Sequence, residues 1–358
     1  MLDIGAVPPA RFTLMQPADG AKCRGLKNPT LFILATACEY APKFSYSIDI
    51  ARSALQYLPV WKENIFEGKV VFCTGGNGSI CSVQVRALVH LGANACLVGR
   101  KVEKTESVAS DIAAVRPGSK VLGIGGVDVR HAKSLSRAVE TCVRELGGID
   151  FLIAGAAGNF LAPISQLSFN AFKAVIDIDV LGSYSVTKLA LPYLIASAKK
   201  HAKSTSAPGG RIIYVSATIH FTGLPMQSHV SAAKAGVDAL SNSVAIEYGP
   251  YGITSNVICP GAIAGTEGMS RLSKKMDSRE VMVDRVPLGR LGNSLDIADA
   301  TIFLFSGAAS YITGTSIVVD GGAWRTHALQ PGQDFEYPGF LLSGDTVEGV
   351  GGQKRAKI

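Results

Sequence analysis

No run of about twenty apolar residues occurs anywhere in this 358-residue chain, so the sequence offers no membrane-crossing helix. It has no CxxC pair either, which removes the usual thiol spacing of a zinc or dithiol redox site. The 7 cysteines (Cys23, Cys38, Cys73, Cys81, Cys96, Cys142 and Cys259) are odd in number and widely spaced, and most fall inside apolar patterns. Reduced thiols in an intracellular compartment are therefore expected rather than a disulfide framework. Dense Lys/Arg blocks are also missing. The formal net charge of +7 is spread along the chain, which disfavours a nucleic-acid partner and suits small polyanionic ligands. No internal repeat is present.

Hydrophobic residues make up 47% of the chain, enough for a sizeable core in one α/β domain. The most informative stretch is Lys69 to Arg100. Val70, Val71 and Phe72 form a short apolar run. Thr74, Gly75, Gly76, Asn77 and Gly78 supply turn chemistry, and Val83, Val85, Leu88 and Leu91 then follow helical spacing. Ala95 to Val98 reads as a second buried strand. A glycine-rich turn between strand and helix lets backbone N–H groups approach a pyrophosphate at the positive helix end. Ser79 and Cys81 occupy later positions where dinucleotide folds usually carry glycine, so by itself the segment fits either nucleotide binding or plain strand-turn-helix packing. After the second strand an NAD site would place an acid for the ribose diol. Here Arg100 and Lys101 stand there, suited to a 2′-phosphate or to a solvated surface loop.

Strand and helix patterns then alternate. Helices are expected over about Val102–Val115 and Ala132–Leu146, and a long one over Phe169–Ala198. Strands are expected at Val121–Asp128, Asp150–Ala154, Arg211–Val215, Thr254–Ile258 and Ser316–Val319, giving seven in all with the first two. Further helices are expected over about Val230–Tyr248, Ser270–Val283 and Ser294–Phe305, with an exposed loop at Lys199–Gly210. Apolar strands separated by helices imply a parallel sheet covered on both faces, a doubly wound Rossmann-type domain. Residues 1–60 do not share this pattern. Pro8, Pro9, Pro17, Pro29 and Pro42 interrupt every helical segment, and the stretch reads as a poorly ordered extension, a mitochondrial presequence or a mispredicted first exon. The domain is placed at 61–328, with a tail at 329–358.

The segments TGGNGSIC, Val127–Val129, Ala154–Asn159, Ser216–Thr218, Lys234 and Pro260–Gly268, together with a helix bearing Asp179, fall in the order and spacing of the short-chain dehydrogenase/reductase family, which this chain resembles from about Phe66 to Trp324. Within it, Ala156–Phe160, Leu167–Lys173, Asp177–Asp179, His229–Leu240 and Val319–Trp324 resemble the fungal-type, peroxisomal branch that reduces 2,4-dienoyl-CoA thioesters. The departures are as informative. Ketone-reducing members carry a Tyr four residues before the Lys, where this chain has Val230; the usual Asn is Asp179, and the usual hydroxyl donor is Ala217, flanked by Ser216 and Thr218. A phenol beside a Lys ammonium can hand a proton to an alkoxide. Valine cannot. A dienoyl thioester needs no such proton on oxygen. Hydride adds to the far carbon of the diene, charge spreads to the thioester oxygen, and carbon is protonated afterwards.

The resemblance implies Asp179 and Lys234 as the catalytic pair, with Asp179 orienting a proton-delivering water and Lys234 holding the nicotinamide ribose. Against this, Asp179 could be a helix-surface carboxylate, and His229 either a donor facing the site or a packing residue. For NADPH it implies Gly75, Gly76, Asn77, Gly78, Ser79 and Ile80 at the pyrophosphate and Arg100, Lys101 and Lys104 at the 2′-phosphate. Asp128 is implied at the adenine amine, and Pro260, Gly261, Ala262, Ile263, Ala264, Gly265 and Thr266 at the nicotinamide. For the acyl-CoA it implies Arg130, Phe160, Ser168, Phe169, Asn170 and Arg271, Arg being apt for phosphate. The product expected is a 3-enoyl-CoA, in the breakdown of unsaturated fatty acids. A catalytically inactive NADP(H)-sensing module and a carbonyl reductase are the competing functions. Family analogy implies a homo-oligomer. The last three residues, Ala356, Lys357 and Ile358, resemble the SKL peroxisomal address, which implies an import receptor as partner and the peroxisomal matrix as location.

Overall fold

The structure is a computed structural model that describes residues 60–203, 208–272 and 286–326, without the side chains of 270–272 and 326. These residues all fall within the compact unit Arg52–Ile358. The extension apart from Val60, the tail with Ala356–Ile358, most of the helical region expected near Ser270–Val283, and Cys23 and Cys38 lie outside the described residues.

Seven parallel strands form one sheet in the order β3-β2-β1-β4-β5-β6-β7. In chain order the main elements are β1 (Val70–Thr74), α1 (Cys81–His90), β2 (Asn94–Val98), α2 (Val102–Ala113), β3 (Val121–Ile124), α3 (Ala132–Leu146) and β4 (Phe151–Ala154). Then come α4 (Phe169–Ile176), a π-helical turn (Asp177–Leu181), α5 (Gly182–Lys200), β5 (Arg211–Val215), α6 (Ile219–Thr222), α7 (Ser228–Tyr248) and β6 (Thr254–Pro260). The last are α8 (Glu267–Leu272), α9 (Ser294–Phe305), β7 (Ser316–Val319) and α10 (Ala323–Thr326).

Both faces of the sheet are covered, which is why β1 (VVFCT) and β4 (FLIA) are buried at every position. On one face Phe151 stacks on Phe305 of α9 at 4.6 Å and meets Phe66 edge-on at 5.5 Å. On the other, Leu135, Val139 and Cys142 of α3 join Val186, Ala190 and Leu194 of α5. The α9 start is fixed by a capping box, Asn293 accepting from the Asp296 amide while the Asp296 carboxylate accepts from the Asn293 amide. Cys73, Cys81, Cys96, Cys142 and Cys259 are free and buried.

Several expected bounds change, α2 ending at Ala113 and α7 starting at Ser228 among them. The third strand stops at Ile124 instead of reaching Asp128, because the chain turns at Gly125 and Gly126, the latter at φ 70°. A Cβ on Gly125 would stand 2.3 Å from the Val102 Cα. The single helix expected over Phe169–Ala198 is broken by the π turn, a feature concentrated at functional sites. Strand β6 runs to Pro260. The chain order reverses between β1 and β4, and the crevice beyond their C-terminal ends is where open α/β sheets bind ligands.

Candidate active site

Two adjoining cavities open at that reversal. One, of about 330 Å³, lies beyond β1, β2 and β3 and is lined by Asn77, Arg100, Lys101, Lys104 and Asp128 among others. The second, of about 320 Å³, lies beyond β4, β5 and β6 and is lined by Ser79, Ile80, Val230, Lys234, Pro260–Ile263 and Thr266 among others. Gly75 and Gly78 border both. Two chambers meeting at a glycine turn match the two halves of a dinucleotide.

The turn itself is built for close approach. Gly75 sits at φ 67°, and a Cβ there would lie 2.9 Å from the Gly155 oxygen. A Cβ on Gly76 would meet the Leu97 Cβ at 2.4 Å, so this glycine serves helix-on-strand packing and stands outside both cavity walls. The non-glycine positions are accommodated locally. The Ser79 hydroxyl accepts from the Glu267 amide at 3.3 Å, and the Ser79 carbonyl accepts from the Ser294 hydroxyl at 3.2 Å. Cys81 has room because residue 155 is glycine: a Cβ there would be 2.3 Å from the Cys81 sulfur. The cradle therefore fits a pyrophosphate despite the departures.

At the wall of the first chamber both carboxylate oxygens of Asp128 are gripped by the Arg130 guanidinium behind it, at 2.6–3.1 Å, which holds the Asp128 pKa down to about 2. Arg130 is thus committed to Asp128 and borders neither cavity. Lys104 pairs with Glu267 at 3.0 Å, linking α2 to α8 across the chamber. Ala264 and Gly265 stand outside both walls.

Asp179 lies on the π turn and is fully buried, so it is not a helix-surface carboxylate. Its Oδ1 accepts from the Gly158 amide at 2.7 Å, and its Oδ2 is 3.0 Å from the Lys234 Nζ. Lys234, on α7, also donates to the Val215 carbonyl at 3.0 Å and forms part of the second chamber's wall. Asp179 does not line that chamber and reaches it through the ammonium. Val230, one turn before Lys234, packs on Val175 and Ala233 and presents an apolar surface where a phenol would otherwise stand.

His229 is fully buried beneath Phe160, the rings stacked at 4.2 Å, and lines neither chamber. Burial pushes its pKa below the ordinary imidazole value, against the Phe160 backbone and the Asp179 charge. Of the residues expected on the acyl-CoA, Ser168 caps α4 by accepting from the Ala171 amide at 3.2 Å. Phe160 and Phe169 are exposed, at 38% and 96%. Asn170 is exposed as well. Arg271 belongs to α8, with its side chain outside the described residues. Among the described side chains of this set, none lines either chamber.

One neighbouring pair has no sequence signal. The His220 Nδ1 is 2.6 Å from the Ala217 carbonyl, and its Nε2 is 3.0 Å from the Asp238 Oδ2. Asp238 also accepts from the Ser316 hydroxyl at 3.0 Å. These contacts anchor Ala217, a wall residue of the second chamber, to α7 and β7. Only the position of Asp238, one helical turn after Lys234, places it on the same face of α7.

A profile of the family described as Enoyl-(Acyl carrier protein) reductase matches residues 75–323. The peroxisomal 2,4-dienoyl-CoA reductase ((3E)-enoyl-CoA-producing) of Saccharomyces cerevisiae is 50% identical over 277 residues, covering 76% of this chain and 91% of that protein. The chain belongs to the short-chain dehydrogenase/reductase family. The peroxisomal 2,4-dienoyl-CoA reductase of Danio rerio is 36% identical over 76% of this chain and 87% of its own length. Among solved structures, a short-chain type dehydrogenase/reductase from Mycobacterium marinum superposes with a TM-score of 0.64 at 28% identity, covering 72% of this chain and 96% of that one. Membership in this family implies a nicotinamide cofactor, and the paired chambers and glycine cradle suit one. Among the described residues no helix is long and apolar enough to cross a membrane, and no His/Cys/Asp/Glu group could hold a metal.

Proposed function

We propose that the protein is an NADPH-dependent 2,4-dienoyl-CoA reductase that forms 3-enoyl-CoA in peroxisomes, with residues 61–328 as the catalytic domain. The observation that carries this reading is Lys234, in the wall of a chamber whose phenol position is Val230 and paired from behind with the buried Asp179. It occurs in a chain half identical to a relative named for that activity. Bound NADPH supplies hydride to the far carbon of the diene. Lys234, held by Asp179 and the Val215 carbonyl, keeps positive potential beside the charge that develops on the thioester. A water on this pair returns a proton to carbon, with Asp179 orienting it through Lys234. Val230 provides no acid for an alkoxide, so ketones are poor substrates. NADPH oxidation should be observed with a dienoyl-CoA and not with a ketone. The opposite pattern, or neither activity, would refute the proposal.

The choice of NADPH is supported by Arg100, Lys101 and Lys104 in the first chamber. Arg100→Asp should shift the ratio of kcat/KM for NADPH over NADH down by on the order of 10²-fold, since a carboxylate there repels the 2′-phosphate and accepts from a ribose diol. An unchanged ratio would remove Arg100 from cofactor selection. Arg130, Phe160, Ser168, Phe169, Asn170 and Arg271 are proposed to meet the acyl-CoA when it binds, which for Arg130 requires sharing Asp128. A homo-oligomer and an import receptor bound at Ala356–Ile358 complete the reading. A fluorescent fusion at the N-terminus should be punctate with the full chain and diffuse without those three residues. Identical patterns would rule the tripeptide out as the address.

A further inference from the structure

We propose that Gln227 is a catalytic hydrogen-bond donor whose side-chain Nε2 holds the thioester oxygen as negative charge accumulates on it. The proposal rests on the dienoyl-CoA reading above and adds to it the group that takes over from the missing phenol. Gln227 sits immediately before the first turn of α7, is 1% exposed, and forms part of the wall of the second chamber. Its Nε2 is sealed from solvent and has no hydrogen-bond partner among the described residues. Buried amide donors are almost always paired, so an unpaired one on a residue of the cavity wall calls for an acceptor that a bound ligand can bring.

Of the neighbouring polar side chains, Lys234 and Thr266 already have partners. The Lys234 ammonium is committed to Asp179 and to the Val215 carbonyl. Thr266 donates to the Ile263 carbonyl. The Ser216 hydroxyl, 4% exposed and in the same wall, has no hydrogen-bond partner among the described residues either, and is a second donor available to the same oxygen. Val230 and Leu224, on either side of Gln227 in the chain, give the wall an apolar surround in which a single amide donor is worth more than in water. An uncharged donor also suits the chemistry. It stabilises an extended enolate oxygen without delivering a proton there, which leaves protonation to occur on carbon.

The test uses the full-length protein with NADPH and a 2,4-dienoyl-CoA, comparing the parent with Gln227→Leu and Gln227→Met. Loss of one such donor should lower kcat on the order of 10²-fold, while KM for the thioester and Kd for NADPH stay within about threefold. A spectroscopic readout is independent of turnover. Polarisation of the thioester carbonyl moves the dienoyl absorption band to longer wavelength on binding, and both variants should lose that shift. NADPH binding identifies a folded variant. If Leu disrupts folding, the unbranched Met variant carries the comparison. A kcat within about threefold of the parent, a retained band shift, or an effect confined to the NADPH Kd would overturn the assignment. If the parent protein itself fails to reduce the dienoyl-CoA, the proposed function is at fault rather than Gln227.

Discussion

Asp179→Ala should lower turnover of a 2,4-dienoyl-CoA by on the order of 10³-fold while leaving NADPH binding nearly intact. The carboxylate is fully buried, accepts from the Gly158 amide and faces the Lys234 ammonium at 3.0 Å. Removing it leaves Lys234 held only by the Val215 carbonyl, so the ammonium loses the orientation on which the proposed protonation of carbon depends. The cations at Arg100, Lys101 and Lys104 line the other chamber, and neither they nor Gly75 touch Asp179, so these cofactor contacts are left in place. Steady-state rates and NADPH titration, measured on one preparation, separate these effects. Near-normal turnover, or a loss that follows NADPH affinity, would contradict the role given to Asp179.

Lys234→Met carries the second large effect, this time on stability as well as activity. It leaves a fully buried carboxylate without its cation, and breaking one partner of a buried pair costs about 3–5 kcal/mol. The double variant Asp179→Asn/Lys234→Met removes the charge too and should recover most of that loss, because the remaining amide can still accept from the Gly158 amide. Neither variant should regain turnover. Denaturant unfolding without cofactor gives the comparison. Equal stability of the single and double variants would mean that the pair is not electrostatically coupled in the folded protein.

Much of the fold was legible because parallel strands buried on both faces leave continuous apolar runs. Val70–Phe72 and Arg211–Val215 carry that pattern, and the amphipathic stretch Ala132–Leu146 matches α3 at both ends. The third strand was overextended because apolar Val127 and Val129 follow a glycine pair whose turn only the positive φ of Gly126 reveals. The π turn left no mark, since the apolar spacing of Phe169–Ala198 continues through it. Asp179 and Lys234 were found by family resemblance. The complete burial of the carboxylate, and its access to the chamber through the ammonium, depend on the π turn and on Gly158 from another strand end. Ser79 and Cys81 looked like defects in a glycine motif because the room for Cys81 is made by Gly155, far away in sequence. Gln227 and the His220–Asp238 pair read as ordinary polar residues until α7 and the β5 loop are brought together. For Asp179, Cys81 and the His220–Asp238 pair the decisive neighbour is non-local.

In the proposed reaction hydride adds at the far carbon of the diene and a proton at the carbon beside the thioester. Incubating the protein with NADPH and a 2,4-dienoyl-CoA in deuterium oxide, then locating deuterium and the double bond in the product, tests it directly. The expected product is a 3-enoyl-CoA bearing solvent deuterium on the carbon next to the thioester carbonyl. A 2-enoyl-CoA, or a product with no solvent deuterium at that carbon, would contradict it.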